Sequence, residues 1–331
     1  MRAGGEDRHR ARLIAAVVAG ATMLAAGNAA GSAHARRPAP LAEAKMDYVD
    51  FQNSPFPYRG IIPEKDIPFL DAVDGTRRGH TSPRAGAVYW EDQKYSDRHT
   101  LIYFPAGFDL KKPAVIVVFF HGNNATLARD VVSRQQVPRQ LAESGLNAVL
   151  VAPQFARDAL DSSSGNFWRP GVFASFLAEA TSKMADVYGR KDARVVFARL
   201  PVVVLAYSGG YNPAAYSVAV GGADKRLRGV LLLDALYAEE DKFADFLAQN
   251  RKSVFFFSAY TKSSAANNAT LRDLLGEAHV KFTTDAPRTL KPGNVVFLAA
   301  DPELVHDDFV TRAWVDDPVK WLLARVSGYR R

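Results

Sequence analysis

The stretch "VVVLAYSGGYNPAAYSVAVGG", residues 202–222, decides how the rest of the chain reads. It opens on an unbroken apolar run of the kind that forms a strand buried on both faces, and ends in an alanine-rich run of helical character. Between them stands Ser208, followed by Gly209 and Gly210. A sharp strand-to-helix turn pushes one side chain into the crevice at the carboxyl edge of a parallel sheet, where sites collect. Such a turn strains its central residue and is tolerable only beside small neighbours, which the two glycines supply. Pro213 is acceptable in a first helical turn, where backbone N–H groups lack intrahelical partners, and Gly221 and Gly222 form a stop.

Outward from this turn the same rhythm repeats. Short β-rich runs at 87–91, 99–104, 114–120, 147–152, 202–207, 229–234, 253–259 and 294–300 alternate, from the third onward, with helix-like runs near 126–143, 171–189, 212–222, 239–250, 265–279 and 308–326. That order builds a mostly parallel sheet covered on both faces, with the first two, more polar runs expected as an edge hairpin. Residues 36–86 are dense in Pro and Gly yet carry Phe51, Phe56, Tyr58, Ile61, Ile62, Phe69 and Leu70, and are expected to form an arm packed on the main domain of 87–331. The loop "DALDSSSGNFWRPG", 158–171, reads either as a flap over a site or as a solvated surface loop.

Residues 1–35 read as an export signal, with Arg2, Arg8, Arg10 and Arg12 before the apolar run "LIAAVVAGATMLAAG" and the small-residue site "AHA". The apolar run is shorter than the roughly 20 residues of a membrane span, so an exported, periplasmic or extracellular chain with no stable membrane anchor is expected. The chain contains no cysteine, which removes disulfides, thiolate metal sites and a cysteine nucleophile from consideration. Without the signal the formal charge is +5, spread without basic blocks, which argues against nucleic acid as a partner. There is also no Gly-rich phosphate loop and no H-E-x-x-H pattern.

At the serine, Ala206-Tyr207-Ser208-Gly209-Gly210 resembles the G-x-S-x-G nucleophile motif of the α/β-hydrolase superfamily, with alanine at the first glycine. The resemblance covers roughly residues 87–326 and implies a three-layer α/β-hydrolase fold with an eight-stranded, mostly parallel sheet and helices on both faces. It places an H-G segment after the third strand, here "FFHGNN" of 119–124. By that resemblance the oxyanion donors are the backbone N–H of Gly209 and one near Gly122 or Asn123. The side chains of Asn123 and Asn124 either donate as well or cap the helix that follows. His121 is expected to shape the loop rather than carry a proton.

The same architecture puts a histidine base after the last strand, where His306 stands. The acid expected after the seventh strand is missing from "SVFFFSAYTKSSAANNA" of 253–269, so the role passes to Asp234 at the end of the sixth, with Asp301 and then Asp241 as alternatives. A buried carboxylate there needs a hydrogen-bonded role. The chain order Ser208, Asp234, His306 is the family's order. These residues imply a cofactor-independent serine esterase, resembling secreted bacterial esterases and acting on a small or polymeric ester through an acyl-enzyme. Tyr207, Tyr211 and Trp168, with Tyr237 and Tyr260, are expected near the strand ends, as pocket walls or as core. A peptidase or amidase on the same triad, or a non-catalytic cell-envelope binding protein with a degenerate site, are the competing readings; oligomeric state is left open.

Overall fold

In the computed structural model, residues 39–331 other than Pro302 are described; the expected export signal lies outside them. The main sheet consists of β1 (Lys45–Asp50), β2 (His99–Phe104), β3 (Val115–Phe120), β4 (Ala148–Pro153), β5 (Val202–Tyr207), β6 (Leu227–Leu233), β7 (Phe255–Tyr260) and β8 (Val295–Ala299). Their spatial order is β1-β2-β4-β3-β5-β6-β7-β8. Only β2 runs against the rest: it pairs antiparallel with both β1 and β4, while every other neighbouring pair is parallel.

The reason β5 sits near the centre is visible in its burial. Val202, Val204 and Ala206 enter the core on one face of the sheet, and Val203, Leu205 and Tyr207 enter the core on the other. Each such side chain contributes about 1.5–3 kcal/mol of transfer free energy when fully buried, so a strand apolar on both faces is stable only between two covering layers. One layer contains α2 (Val172–Tyr188), α3 (Tyr211–Ala219), α4 (Glu240–Asn250) and α5 (Ala265–Glu277); the other contains α1 (Val137–Glu143) and α6 (Pro318–Leu323).

Three sequence expectations change. The run at 87–91 does not pair with β2; Ala87–Trp90 belongs to a separate three-stranded antiparallel sheet with Ala72–Asp74 and Arg77–Ser82. The edge of the main sheet is instead β1, drawn from the arm, with Lys45↔Phe104 and Asp50↔His99 in register. Its outward Met46 and Tyr48 are exposed and its charges suit an edge strand, so it carries no continuous apolar signal. The helix expected over 126–143 is split into a π-helical turn, Leu127–Arg134, and α1, because Gln136 adopts φ +51° immediately before the Val137–Pro138 start. The last helix is short, and before it the chain forms a single 3-10 turn, His306–Asp308, and a loop closed by an Arg312↔Asp316 bridge.

The arm is core material. Phe51, Phe56 and Phe69 are fully buried, and Phe69 lies against Phe56, Tyr58, Tyr95 and Trp168 with ring centroids 5.0–5.8 Å apart. The 158–171 loop is exposed at Asp158, Arg169 and Pro170 but docked in its middle: Phe167 is fully buried, and Asn166 Nδ2 donates to the carbonyls of Ser54 (3.0 Å) and Pro57 (2.9 Å). Phe69→Ala should therefore lower stability by about 3–5 kcal/mol, as for a core phenylalanine, in urea unfolding followed by tryptophan fluorescence. A loss below about 1 kcal/mol would show that the arm is an appendage rather than core.

Candidate active site

β5 ends at Tyr207, and Ser208 then takes φ +52°, the left-handed region that a non-glycine residue enters only under constraint. The constraint is crowding. A Cβ at Gly210 would lie 2.4 Å from the Phe120 carbonyl oxygen, one at Gly122 would lie 2.8 Å from Ser208 Cβ, and one at Gly209 would lie 2.2 Å from the Asn123 amide. Only glycines let the end of β3 and the turn after β5 close to this distance. The turn runs directly into α3, with Pro213 in its first turn.

Ser208 faces His306. Its Oγ lies 2.8 Å from His306 Nε2, and His306 Nδ1 lies 2.5 Å from Asp234 Oδ2. A carboxylate can only accept, so the imidazole proton sits on Nδ1 and Nε2 accepts from the serine hydroxyl. Three side chains separated widely in sequence thus form one hydrogen-bonded line at the carboxyl ends of β5, β6 and β8.

Asp234 follows β6 with φ +42° and is completely buried. Its Oδ1 accepts from the Thr261 N–H (3.0 Å) and Ser264 Oγ (2.5 Å), and its Oδ2 from Thr261 Oγ1 (2.9 Å) and Tyr237 OH (3.2 Å) as well as from His306. Burial alone would raise the carboxyl pKa, but the bonds from His306, Ser264 and Thr261 overcome it and bring it from 3.8 down to about 2. Tyr237 is pushed up to about 12, chiefly by burial, and stays a hydrogen-bond donor. The hydroxyl cluster "TKSS", 261–264, directly after β7 was the sequence signal for this cradle. Asp301 and Asp241 are exposed; Asp301 accepts from the Glu303 N–H, and Asp241 lies beside Lys242.

His121 is buried, its Nδ1 donating to the Gly122 carbonyl (2.7 Å) and its Nε2 accepting from the Phe155 N–H (2.9 Å); burial lowers its pKa and holds it neutral. Among the described residues, the N–H groups of both Gly122 and Asn123 in the loop after β3 make no backbone hydrogen bond to another loop or turn, and Gly209 lies in the 3-10 turn Ser208–Gly210. The Asn123 side chain does not cap the following helix. Assigned from its neighbours, the amide places its nitrogen toward the Asp161 carbonyl (2.7 Å), to which it donates, and its oxygen toward Arg84 Nη1 (2.9 Å), from which it accepts. The cap at Thr126 is its own side chain, which accepts from the Arg129 N–H.

The three pocket aromatics separate. Tyr207 is 3% exposed and lies behind the site, its ring stacked on His306 with centroids 5.1 Å apart and its hydroxyl donating to the His306 carbonyl (3.0 Å). Trp168 and Tyr211, with Tyr216, wall an open cleft of about 630 Å³ that is also lined by arm residues Ile62, Glu64 and Asp71 and does not include Ser208 in its lining. Its floor is cross-linked: Trp168 Nε1 donates to Asn212 Oδ1 (3.0 Å), and Asn212 Nδ2 to Glu239 (3.0 Å). Lys242 pairs with Glu239 (2.6 Å) and with Glu64 of the arm (2.8 Å).

Strand order and serine turn together decide the architecture. The chain has the α/β-hydrolase fold. No family model and no curated protein matches it. Solved structures similar to this hydrolase fold include a feruloyl esterase module from Clostridium thermocellum, 13% identical with TM-score 0.44, covering 84% of this chain and 96% of that one. An S-formylglutathione hydrolase from Agrobacterium tumefaciens is 12% identical with TM-score 0.41 over 77% of this chain and 97% of its own. A thermostable esterase from Pseudomonas putida is 14% identical with TM-score 0.38 over 70% and 78%. Among the described residues no cluster of His, Asp and Glu is arranged to hold a metal ion, and no helix is long and apolar enough to cross a membrane.

Because the Asp234 pKa is 3.8 in an ordinary setting and about 2 here, the unfolded chain binds more protons between those values. The stability Asp234 confers is complete above about pH 4 and is lost as pH falls through about 2, a difference of about 2 kcal/mol. Urea midpoints measured from pH 5 down to pH 2 should fall less steeply in Asp234→Asn than in the wild type; parallel curves would remove Asp234 from the acid response.

Proposed function

We propose that the protein is an exported serine hydrolase that cleaves carboxylic esters through a Ser208–His306–Asp234 triad and an acyl-enzyme. The observation that carries this reading is the continuous hydrogen-bonded line from Ser208 Oγ through His306 to Asp234, at 2.8 and 2.5 Å. The export signal expected at residues 1–35 supports the location.

Ser208 Oγ attacks the ester carbonyl carbon as its proton passes to His306 Nε2. Asp234 holds the imidazole by Nδ1 and stabilises the imidazolium. The carbonyl oxygen takes the negative charge and is received by the N–H groups of Gly209 and Asn123, fixed before the reaction begins. When the carbon–oxygen bond to the alcohol breaks, His306 returns the proton to the departing oxygen. Water, deprotonated by His306, then releases the acid and restores Ser208. No step calls on a cofactor. The Trp168–Tyr211–Tyr216 cleft receives one side of the ester, with its aromatic faces available for packing.

Ser208→Ala and His306→Ala should each abolish hydrolysis of p-nitrophenyl acetate, with a loss of at least about 10³-fold in kcat, and leave the circular dichroism spectrum unchanged. A fluorophosphonate probe should label the wild type and not Ser208→Ala. Full activity in either variant, or cleavage of a peptide panel in preference to esters, would overturn the assignment.

A further inference from the structure

Besides the arm residues that line the cleft, the arm brings Arg84 to Asn123, a contact no part of the reaction above uses. Arg84 sits at the tip of the turn joining Arg77–Ser82 to Ala87–Trp90, closed by the Gly86 N–H bonding to the Ser82 carbonyl (2.9 Å). That turn is anchored. Ser82 is buried, its hydroxyl donates to the Leu160 carbonyl (3.1 Å) and accepts from the Ala85 N–H (3.2 Å). Leu160 in turn adjoins Asp161 and Ser162, the residues that hold the Asn123 amide nitrogen at 2.7 and 3.0 Å. Arg84, itself exposed, meets Asn123 from this anchored turn, and with the amide oriented to satisfy both of its ends, Nη1 donates to the amide oxygen at 2.9 Å.

The backbone beside that amide carries the Asn123 N–H, and the amide itself presses on Gly209, the other candidate donor. Arg84 takes part in none of the ion pairs among the described residues, so its charge is not neutralised by a carboxylate. That charge is felt around the site: burial raises the phenol pKa of Tyr211 and Tyr237, and Arg84 acts against it at both.

We infer that Arg84, from the N-terminal arm, is a positioning residue of the oxyanion site, fixing Asn123 so that its N–H is in place before negative charge develops. This rests on the hydrolase reading above. The arm is then part of the catalytic apparatus as well as of the core. Because the N–H matters only once the carbonyl oxygen becomes charged, the effect belongs to kcat and not to KM.

The test is steady-state hydrolysis of the neutral ester p-nitrophenyl acetate by the wild type, Arg84→Ala and Arg84→Lys, with the thermal midpoint of each recorded. Arg84→Ala should lower kcat about tenfold, less than the roughly 10²–10³ for losing an oxyanion donor itself, with KM and the thermal midpoint unchanged. Arg84→Lys should recover part of the loss, and millimolar guanidinium should restore Arg84→Ala but not Ser208→Ala. An unchanged kcat in Arg84→Ala, or a loss seen only as raised KM, overturns the inference. So does a loss confined to anionic esters such as a p-nitrophenyl hemisuccinate, which would make Arg84 a substrate-docking cation. In those cases a wild type that hydrolyses esters and reacts with fluorophosphonate leaves the triad reading standing; a wild type that does neither removes both.

Discussion

A carboxylate that is wholly removed from water must be surrounded by donors, and meeting that demand at Asp234 organises this end of the molecule. Unpaired, the charge would cost several kcal/mol. Here the main chain and side chain of Thr261, the hydroxyls of Ser264 and Tyr237, and the ring of His306 all converge on its two oxygens. One buried charge thereby ties the end of β6 to the turn after β7 and to the loop after β8. The imidazole is held in one tautomer as a result, and the lone pair on its far nitrogen is committed to Ser208.

Backbone crowding imposes the second constraint. The turn after β5 and the loop after β3 are so close that methyl groups at positions 122, 209 or 210 have nowhere to go. Closeness brings the loop after β3 against the serine turn, and the strained φ at Ser208 is sustained by the fully buried strand behind it. Tyr207 completes the clamp from below by stacking on the histidine.

How much of this was legible in the sequence depended on what each segment is buried against. Strands β3 to β8 announce themselves because both faces are apolar, and the triad could be assembled because chain order and strand order agree. The edge strand β1 and the small sheet of 72–90 were not legible as such: one is half-exposed and charged, the other is broken by Pro and Gly turns, and the strand each run pairs with is a tertiary fact. The sequence marked Tyr207 for a pocket, since an aromatic next to a nucleophile can face either way; its fixed place in β5 turns it inward. Arg84 gave no signal at all, because its meaning lies in where the turn of 82–87 docks.

The line of Ser208, Asp234 and His306 spans almost a hundred residues of chain, and its last member arrives near the carboxyl terminus, after the final strand of the sheet. On the hydrolase reading proposed above, the Ser208 hydroxyl gains its proton acceptor only when the loop after β8 is docked against the turn after β5. On that reading reactivity is a property of the whole sheet, since its three groups come from three separate strand ends.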